Sequence, residues 1–416
     1  MHERCGFLPL RAWGGVLFVV CLGATTVAAE PERFQVAAWV DHFDFSSTFD
    51  TEKPEGLAQI LDHVQETGAT TILWRNCAGS TMRYQSRVES HHHASTLDKR
   101  RILDSRLPIG WVRYGDAQPD IIATVVRMCR QRGLRPGIHW PFEETHWGVW
   151  TIGEFNLEHP QYWGRDAMGQ PWWGRVSLAY QPVVEHKLAL VDELVARGIE
   201  VIYLDFWRTG AWTPACEYVE PVVAAYRQKY GVAPSGDPKD PAWCRHVSEY
   251  VTAFLRRLHQ HLKAVGRPVE LAVGIPAIAP RSDTPMLERA ADWRRWVDEG
   301  LIDTLVIVDV NWDKNDPLES TRQAYREVLD FVGGRCRVWC PVQQYNFTNH
   351  GLPGYAQATG KKADVVAGQL TRIAHQEGAQ GISLECVDYS NYAPATRETL
   401  RRLTSGECRW VKRPSP

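Results

Sequence analysis

GIEVIYLDFWR, residues 198–208, decides the fold. A glycine just past a helical-period segment opens it, an apolar run follows, and an acid stands near the run's far end. Side chains alternate along an extended chain, so Ile202 and Leu204 share one face while Val201, Tyr203 and Asp205 share the other. If the branched aliphatics face helices, Asp205 faces an interior. Seven further runs of the same kind occur: QVAAWVD (35–41), TTILWRN (70–76), RPGIHWP (135–141), VELAVGI (269–275), DTLVIVDV (303–310), RVWCPVQ (337–343) and QGISLECV (380–387). Helical-period segments separate them, with Pro54 and Pro119 near first turns and Gly68, Gly133, Gly198 and Gly300 just past last turns. Eight strands alternating with helices predict an α/β fold, a TIM (β/α)8 barrel.

A doubly wound open sheet alternates in the same way, but it carries a Gly-rich turn after its first strand to receive a dinucleotide phosphate. Here that turn reads DHFDFSSTFD and contains no glycine, which favours the barrel. The connections are unequal. Long segments follow strands two, three and four, at about 77–116, 142–181 and 208–242, whereas the opposite ends turn tightly, as in GLRPG and GIEV. In this fold the long loops gather at the C-terminal mouth, where sites are built.

The chain has 416 residues, of which 44% are hydrophobic and 23% charged, ordinary values for a globular protein. The 47 basic and 49 acidic side chains give a formal charge of −2, without the positive field that displaces counterions from phosphates; no nucleic-acid partner is expected. Arg4 and Arg11, the apolar run GGVLFVVCLGA and the small residues Val27, Ala28 and Ala29 predict a signal peptide over 1–29. That run is too short to span a bilayer, and no later stretch is long enough. The expectation is a protein secreted or periplasmic after cleavage, with one barrel domain over 30–405 and a tail over 406–416.

Beyond Cys5 and Cys21 eight cysteines remain, and an oxidising compartment permits disulfides. Cys216 and Cys244 flank one inferred loop and make the most plausible pair, while Cys336 and Cys340 on one strand are too far apart to bond. No CxxC occurs, which disfavours structural zinc. The run His91, His92, His93 points alternately and reads as a solvent-facing loop; strand one ends in Asp41 and His42 where a metal-dependent barrel hydrolase has HxH, so neither metal nor cofactor is expected. Neither GxSxG nor GxxxxGK[ST] is present, leaving acyl transfer by that route and nucleotide hydrolysis without support. Asn346-Phe347-Thr348 fits a glycosylation acceptor. No obligate protein partner is inferred.

Alternation sends Ser383 and Glu385 inward as Ile382 and Leu384 turn outward. It puts Asp309 on the side of Leu305 and Ile307, Asp41 with Ala37 and Trp39, and His139 with Gly137, so that four carboxylates and an imidazole converge on one rim. A carboxylate in an apolar strand end is costly to desolvate unless paired or used, and neighbouring carboxylates in such walls separate into acid and base. For Asp205 the structural alternative is a helix cap or a pair with Arg208. For Glu385 and Asp309 it is a salt bridge to Arg75 or a loop amide, and for Asp41 a turn. The 18 tryptophans are the loudest compositional feature. Trp39, Trp74, Trp140, Trp207 and Trp312 stand at or just past strand ends, and Trp147, Trp150, Trp163, Trp172 and Trp173 fill the third loop, whereas Trp293 and Trp296 share a helix face and pack. Indole faces suit the apolar faces of sugar rings while acids, Arg and Asn take the hydroxyls, so a carbohydrate partner is expected, with about half of these indoles packing instead.

The segment SLAYQPVVEHKLALVDELVARGIEVIYLDFWR (177–208) resembles the strand-four region of the secreted bacterial family 10-like glycosylhydrolases, at Tyr180, Pro182, Asp205, Phe206 and Arg208. ADWRRWVDEGLIDTLVI (291–307) is similar to that family's helix and strand six, and the likeness extends over 34–404. The resemblance implies a TIM barrel acting on polysaccharide or glycoside bonds with Asp205 in the catalytic centre. Asp309 and Glu385 depart from the family pattern and point to a distinct substrate class. On this reading Asp205 is nucleophile or base and Glu385 the preferred acid, with Asp309 next. Trp39, Asp41, Arg75, His139, Trp140, Trp207, Arg208, Trp312 and Gln343 are the substrate contacts. The alternative is a non-catalytic carbohydrate-binding barrel of the cell envelope. A pair of rim carboxyls about 5–9.5 Å apart favours catalysis, and dispersal of the acids into salt bridges favours binding.

Overall fold

A computed structural model of the protein describes residues 34–41, 53–82, 84–89, 120–142, 152–206, 214–277, 284–310, 312–343, 351–385 and 392–405. The expected leader, His91–His93, Trp147, Trp150, Trp207, Arg208, the Asn346 acceptor and the tail lie outside them.

Eight strands close into one barrel, every neighbouring pair parallel. They are β1 Gln35–Val40, β2 Thr71–Arg75, β3 Arg135–Pro141, β4 Val201–Asp205, β5 Glu270–Ala277, β6 Thr304–Val310, β7 Arg337–Pro341 and β8 Gly381–Leu384. Each lies within the run the sequence marks or within two residues of it, and they pair in chain order, β8 closing on β1. The chain is therefore a TIM (β/α)8 barrel. Its outer layer includes α1 Pro54–Glu66, α2 Ile121–Gln131, α3 Gln181–Ala196, α4 Pro241–Ala264, α5 Trp293–Asp298, α6 Pro317–Val332, α7 Ala363–Glu377 and α8 Pro394–Thr404. None of the described helices is long and apolar enough to cross a membrane.

Two apolar layers follow from strand alternation. Ile202, Leu204, Ile382 and Leu384 pack with helix residues such as Leu57, Val191 and Leu255, whereas Ala37, Trp39, Leu73, Val201, Tyr203, Ala272, Val306, Val308 and Trp339 fill the barrel. At the N-terminal end Glu270 accepts from Arg135 (2.9 Å) and pairs with Arg337 (2.8 Å) and Thr304, closing the floor with a satisfied charge cluster.

The C-terminal end carries the long connections. After β3 come a short helix, Glu154–Glu158, and a hairpin of Trp163–Arg165 with Pro171–Val176; after β4 comes the helix Glu220–Tyr230. The expected Cys216–Cys244 disulfide is corrected: both are buried free thiols, Cys244 Sγ lying 3.2 Å from the Pro238 carbonyl and Cys216 Sγ 3.9 Å from Glu217. Closeness along a loop left open where the two Cβ vectors point, and here each sulfur is committed to its own neighbourhood.

Candidate active site

Asp205 ends β4 and His139 stands near the end of β3, both fully buried, with His139 Nε2 2.9 Å from Asp205 Oδ2. Against an ionised carboxylate this nitrogen is the donor. Local alternation builds the support. Tyr203, two residues before Asp205, turns inward with it, and its ring stacks on the imidazole at 5.4 Å while Trp39 from β1 meets His139 at 5.0 Å and Tyr203 at 4.8 Å. Three rings thus floor the carboxylate. Tyr203 fits because β5 has Gly274 beside it, where a Cβ would come within 2.1 Å of the phenol oxygen.

Arg289, in the turn after Thr284–Leu287, lies in the electrostatic reach of Asp205: burial pushes its guanidinium below the ordinary arginine value, and the negative charge of Asp205 works against that. The following residue, Ala290, has φ 55°, the one non-glycine among the described residues in the left-handed region. That conformation costs about 1–2 kcal/mol in an L-residue, and such strain persists where surrounding structure enforces it.

Asp309 reaches the mouth by a route that simple alternation does not give. Leu305 and Ile307 pack outward, against the helices. The β5–β6 ladder then shifts register, Ile307 pairing with Ile275 but Asp309 with Pro276, so Val308 is an extra residue and Asp309 follows it onto the interior parity while Val310 returns outward. Asp309 is half-buried; its Oδ1 accepts from its neighbour's amide, Val310 N, at 2.9 Å. Burial raises the Tyr355 hydroxyl and the Asp309 charge adds to it, against the hydrogen bond with Thr321, and Trp312 packs on the Tyr355 ring at 4.7 Å. Gln343 donates through Nε2 to the Val308 carbonyl, at the bulge.

The remaining predicted residues divide. Glu385 follows β8 and is buried, and Ser383 beside it on the interior parity has an Oγ without a hydrogen-bond partner, as does the indole nitrogen of Trp39. Asp41 and Arg75 are fully buried against one another at 2.8 and 3.1 Å, and Arg75 Nε donates to the Cys77 carbonyl at 2.7 Å. Arg75 thus pairs with Asp41, an acid the sequence did not single out for it. Trp140 is corrected from a rim position: alternation with His139 turns it outward, into the layer between barrel and helices, with Phe142 at 6.0 Å. Tyr203, Gly274, Ser383 and Arg289 were not among the predicted contacts. Parity with Asp205 and Glu385 marks the first and third, whereas nothing in the sequence marks Arg289. Among the described residues no group of three or more His, Cys, Asp or Glu is placed to hold a metal ion.

Buried acids thus stand at the C-terminal end of a closed parallel barrel, the end at which TIM barrels build their sites. The sequence profile of the family Glycosyl hydrolase-like 10 matches residues 179–328, a span that holds Asp205, Arg289 and Asp309, and this bears out the resemblance drawn from 177–208 and 291–307. No curated protein matches the chain in sequence. Among solved structures it is similar to a β-galactosidase from the psychrophilic Marinomonas ef1 at 11% identity and a TM-score of 0.50, over 89% of this chain and 59% of that one. An α-galactosidase from Thermus thermophilus aligns at 15% identity and 0.47, over 90% and 62%, and a trehalose-6-phosphate hydrolase from Bacillus licheniformis at 11% and 0.49, over 85% and 64%. The chain thus spans less than two thirds of each of these proteins.

Proposed function

We propose that the protein is an exported glycoside hydrolase that cleaves bonds in a poly- or oligosaccharide with paired carboxylates at the barrel mouth. The observation that carries this reading is that Asp205, the last residue of β4, and Asp309, next to last in β6, stand on the two strands flanking β5, both on the interior parity. Adjacent strands lie about 4.8 Å apart, so the backbones of two acids separated by one strand lie about 9.6 Å apart, and carboxyls leaning inward from them approach the spacing of about 5–9.5 Å that glycoside cleavage uses. Asp309 takes precedence over Glu385 as the acid, because a half-buried carboxyl can exchange its proton with solvent between turnovers.

In the reaction Asp309 gives its proton to the glycosidic oxygen as the bond from that oxygen to the anomeric carbon breaks. Asp205 attacks the carbon directly or removes a proton from an attacking water. His139 holds Asp205 Oδ2 at 2.9 Å, which orients the carboxylate. Arg289 places a positive charge within electrostatic reach of Asp205.

The test is turnover of aryl and natural glycosides by Asp205→Asn, Asp309→Asn and Glu385→Gln. Asp205→Asn abolishes turnover and keeps sugar binding. Loss of the acid spares an activated aryl leaving group, so that signature in Asp309→Asn supports the assignment, and in Glu385→Gln alone it exchanges the two roles. A near wild-type rate in Asp205→Asn refutes the mechanism. Sugar binding by a wild type that cleaves nothing identifies the non-catalytic barrel instead. Export is checked by the mature N-terminus, expected near Glu30.

A further inference from the structure

The hairpin after β3 holds a second feature. Trp163 pairs with Val176 and Arg165 with Pro171, so the residues Trp172 to Arg175 on one strand stand opposite Gly164 alone. The resulting bulge throws two indoles into solvent: Trp173 is 69% exposed and Trp172 38%, with Met168 at the turn 82% exposed. These are half of the large apolar side chains exposed among the described residues, gathered on one short hairpin.

Nothing about this display is loose. Gly174 holds φ 68° with Ile152 where its Cβ would go, and its carbonyl accepts from Asn156 Nδ2 at 2.7 Å. Gly164 lets the hairpin approach the Cys216 carbonyl, where a Cβ would come within 2.5 Å, and Tyr218 N donates to the Arg165 carbonyl at 3.0 Å. Trp163 lies 5.3 Å from the Trp173 ring, and the Arg175 guanidinium 6.0 Å from that of Trp172. The hairpin is thereby fastened to the connection that follows β4 and Asp205. Holding two indoles in water forgoes the apolar burial that a large side chain otherwise gains, and exposed apolar patches of this kind mark interaction sites.

We infer that Trp172 and Trp173 form a binding platform for an extended polysaccharide chain outside the cleavage site. Exposed indoles held on a fastened hairpin present large apolar faces of the kind that pack on sugar rings. The ligand class rests on the proposed glycoside reading.

Native affinity gels containing xylan, galactomannan, pullulan or barley β-glucan test it, run beside assays on aryl glycosides. At least one polymer retards the wild type and Asp205→Asn alike. Trp173→Ala weakens that retardation about fivefold and Trp172→Ala/Trp173→Ala tenfold or more, at an unchanged circular dichroism spectrum. Full retardation of both tryptophan variants overturns the platform. So does a wild type that cleaves an aryl glycoside and is retarded by no polymer, which leaves the proposed reaction standing. Retardation that the double variant loses, in a protein that cleaves no glycoside, supports the platform and refutes hydrolysis.

Discussion

Arg75 was expected to touch substrate, yet its geometry makes it part of the frame, and the difference is measurable. Arg75→Met removes two charge-assisted hydrogen bonds to Asp41, at 2.8 and 3.1 Å, and one to the Cys77 carbonyl at 2.7 Å. It also strips the fully buried Asp41 of its guanidinium. Two bonds to a charged group at about 1.5–3 kcal/mol each agree with the roughly 3–5 kcal/mol cost of breaking a buried ion pair from one side. A loss near 4 kcal/mol, at a urea slope of about 3 kcal/mol/M, lowers the midpoint by more than about 1 M. Asp41→Leu/Arg75→Met removes both charges of the pair and recovers part of the loss, with a coupling energy of at least about 2 kcal/mol across the cycle. Urea unfolding followed by tryptophan fluorescence gives all four values. A single-variant cost below about 1 kcal/mol, or additivity within about 0.5 kcal/mol, would refute the framework role, and a rise in KM at unchanged stability would return Arg75 to the substrate.

Gly274→Ala puts a methyl group 2.1 Å from the Tyr203 hydroxyl oxygen, so it should destabilise the protein by about 1–3 kcal/mol and shift the Trp39–His139–Tyr203 stack; adding Tyr203→Phe should recover part of the unfolding midpoint because the hydroxyl is the nearest atom. Glu299 is held down to about 2 by its hydrogen bonds with Arg256 and Arg295, against the desolvation that raises it. A depressed carboxylate stabilises above its unfolded value of 4.5 and loses that contribution as pH falls toward 2, so the stability gap between wild type and Glu299→Gln should be present at pH 7 and close over that window. A gap that stays constant down to pH 2 would show that the pair carries none of the acid dependence.

Most of the barrel could be read from residues because alternation is a local rule. GIEVIYLDFWR and GISLE sort their side chains without help from the rest of the chain, and Ile202, Leu204, Ile382 and Leu384 lie where that rule sends them. RPGIHWP obeys it too: with His139 inward, Trp140 faces outward, and only the attraction of indoles for sugars argued for the rim. LVIVD is where counting fails. Applied as printed, alternation puts Asp309 with Leu305 and Ile307, which face the helices; the bulge at Val308 carries Asp309 to the other face. One extra residue reverses every side chain beyond it, and no residue type in that run announces it.

The sequence by itself determined the eight strands, their chain-order closure and the inward turn of Asp205, because each depends on apolar periodicity over a few residues and on where glycine and proline end helices. Tertiary structure alone decided the partners. That Arg75 answers Asp41, that His139 stands against Asp205, that Arg289 comes within its field, and that Cys216 and Cys244 stay apart are matters of distance between elements tens of residues distant in the chain. Hydrogen bonds and ion pairs act over a few ångströms and demand direction, so a sequence can name the groups that need partners while only the packed barrel assigns them.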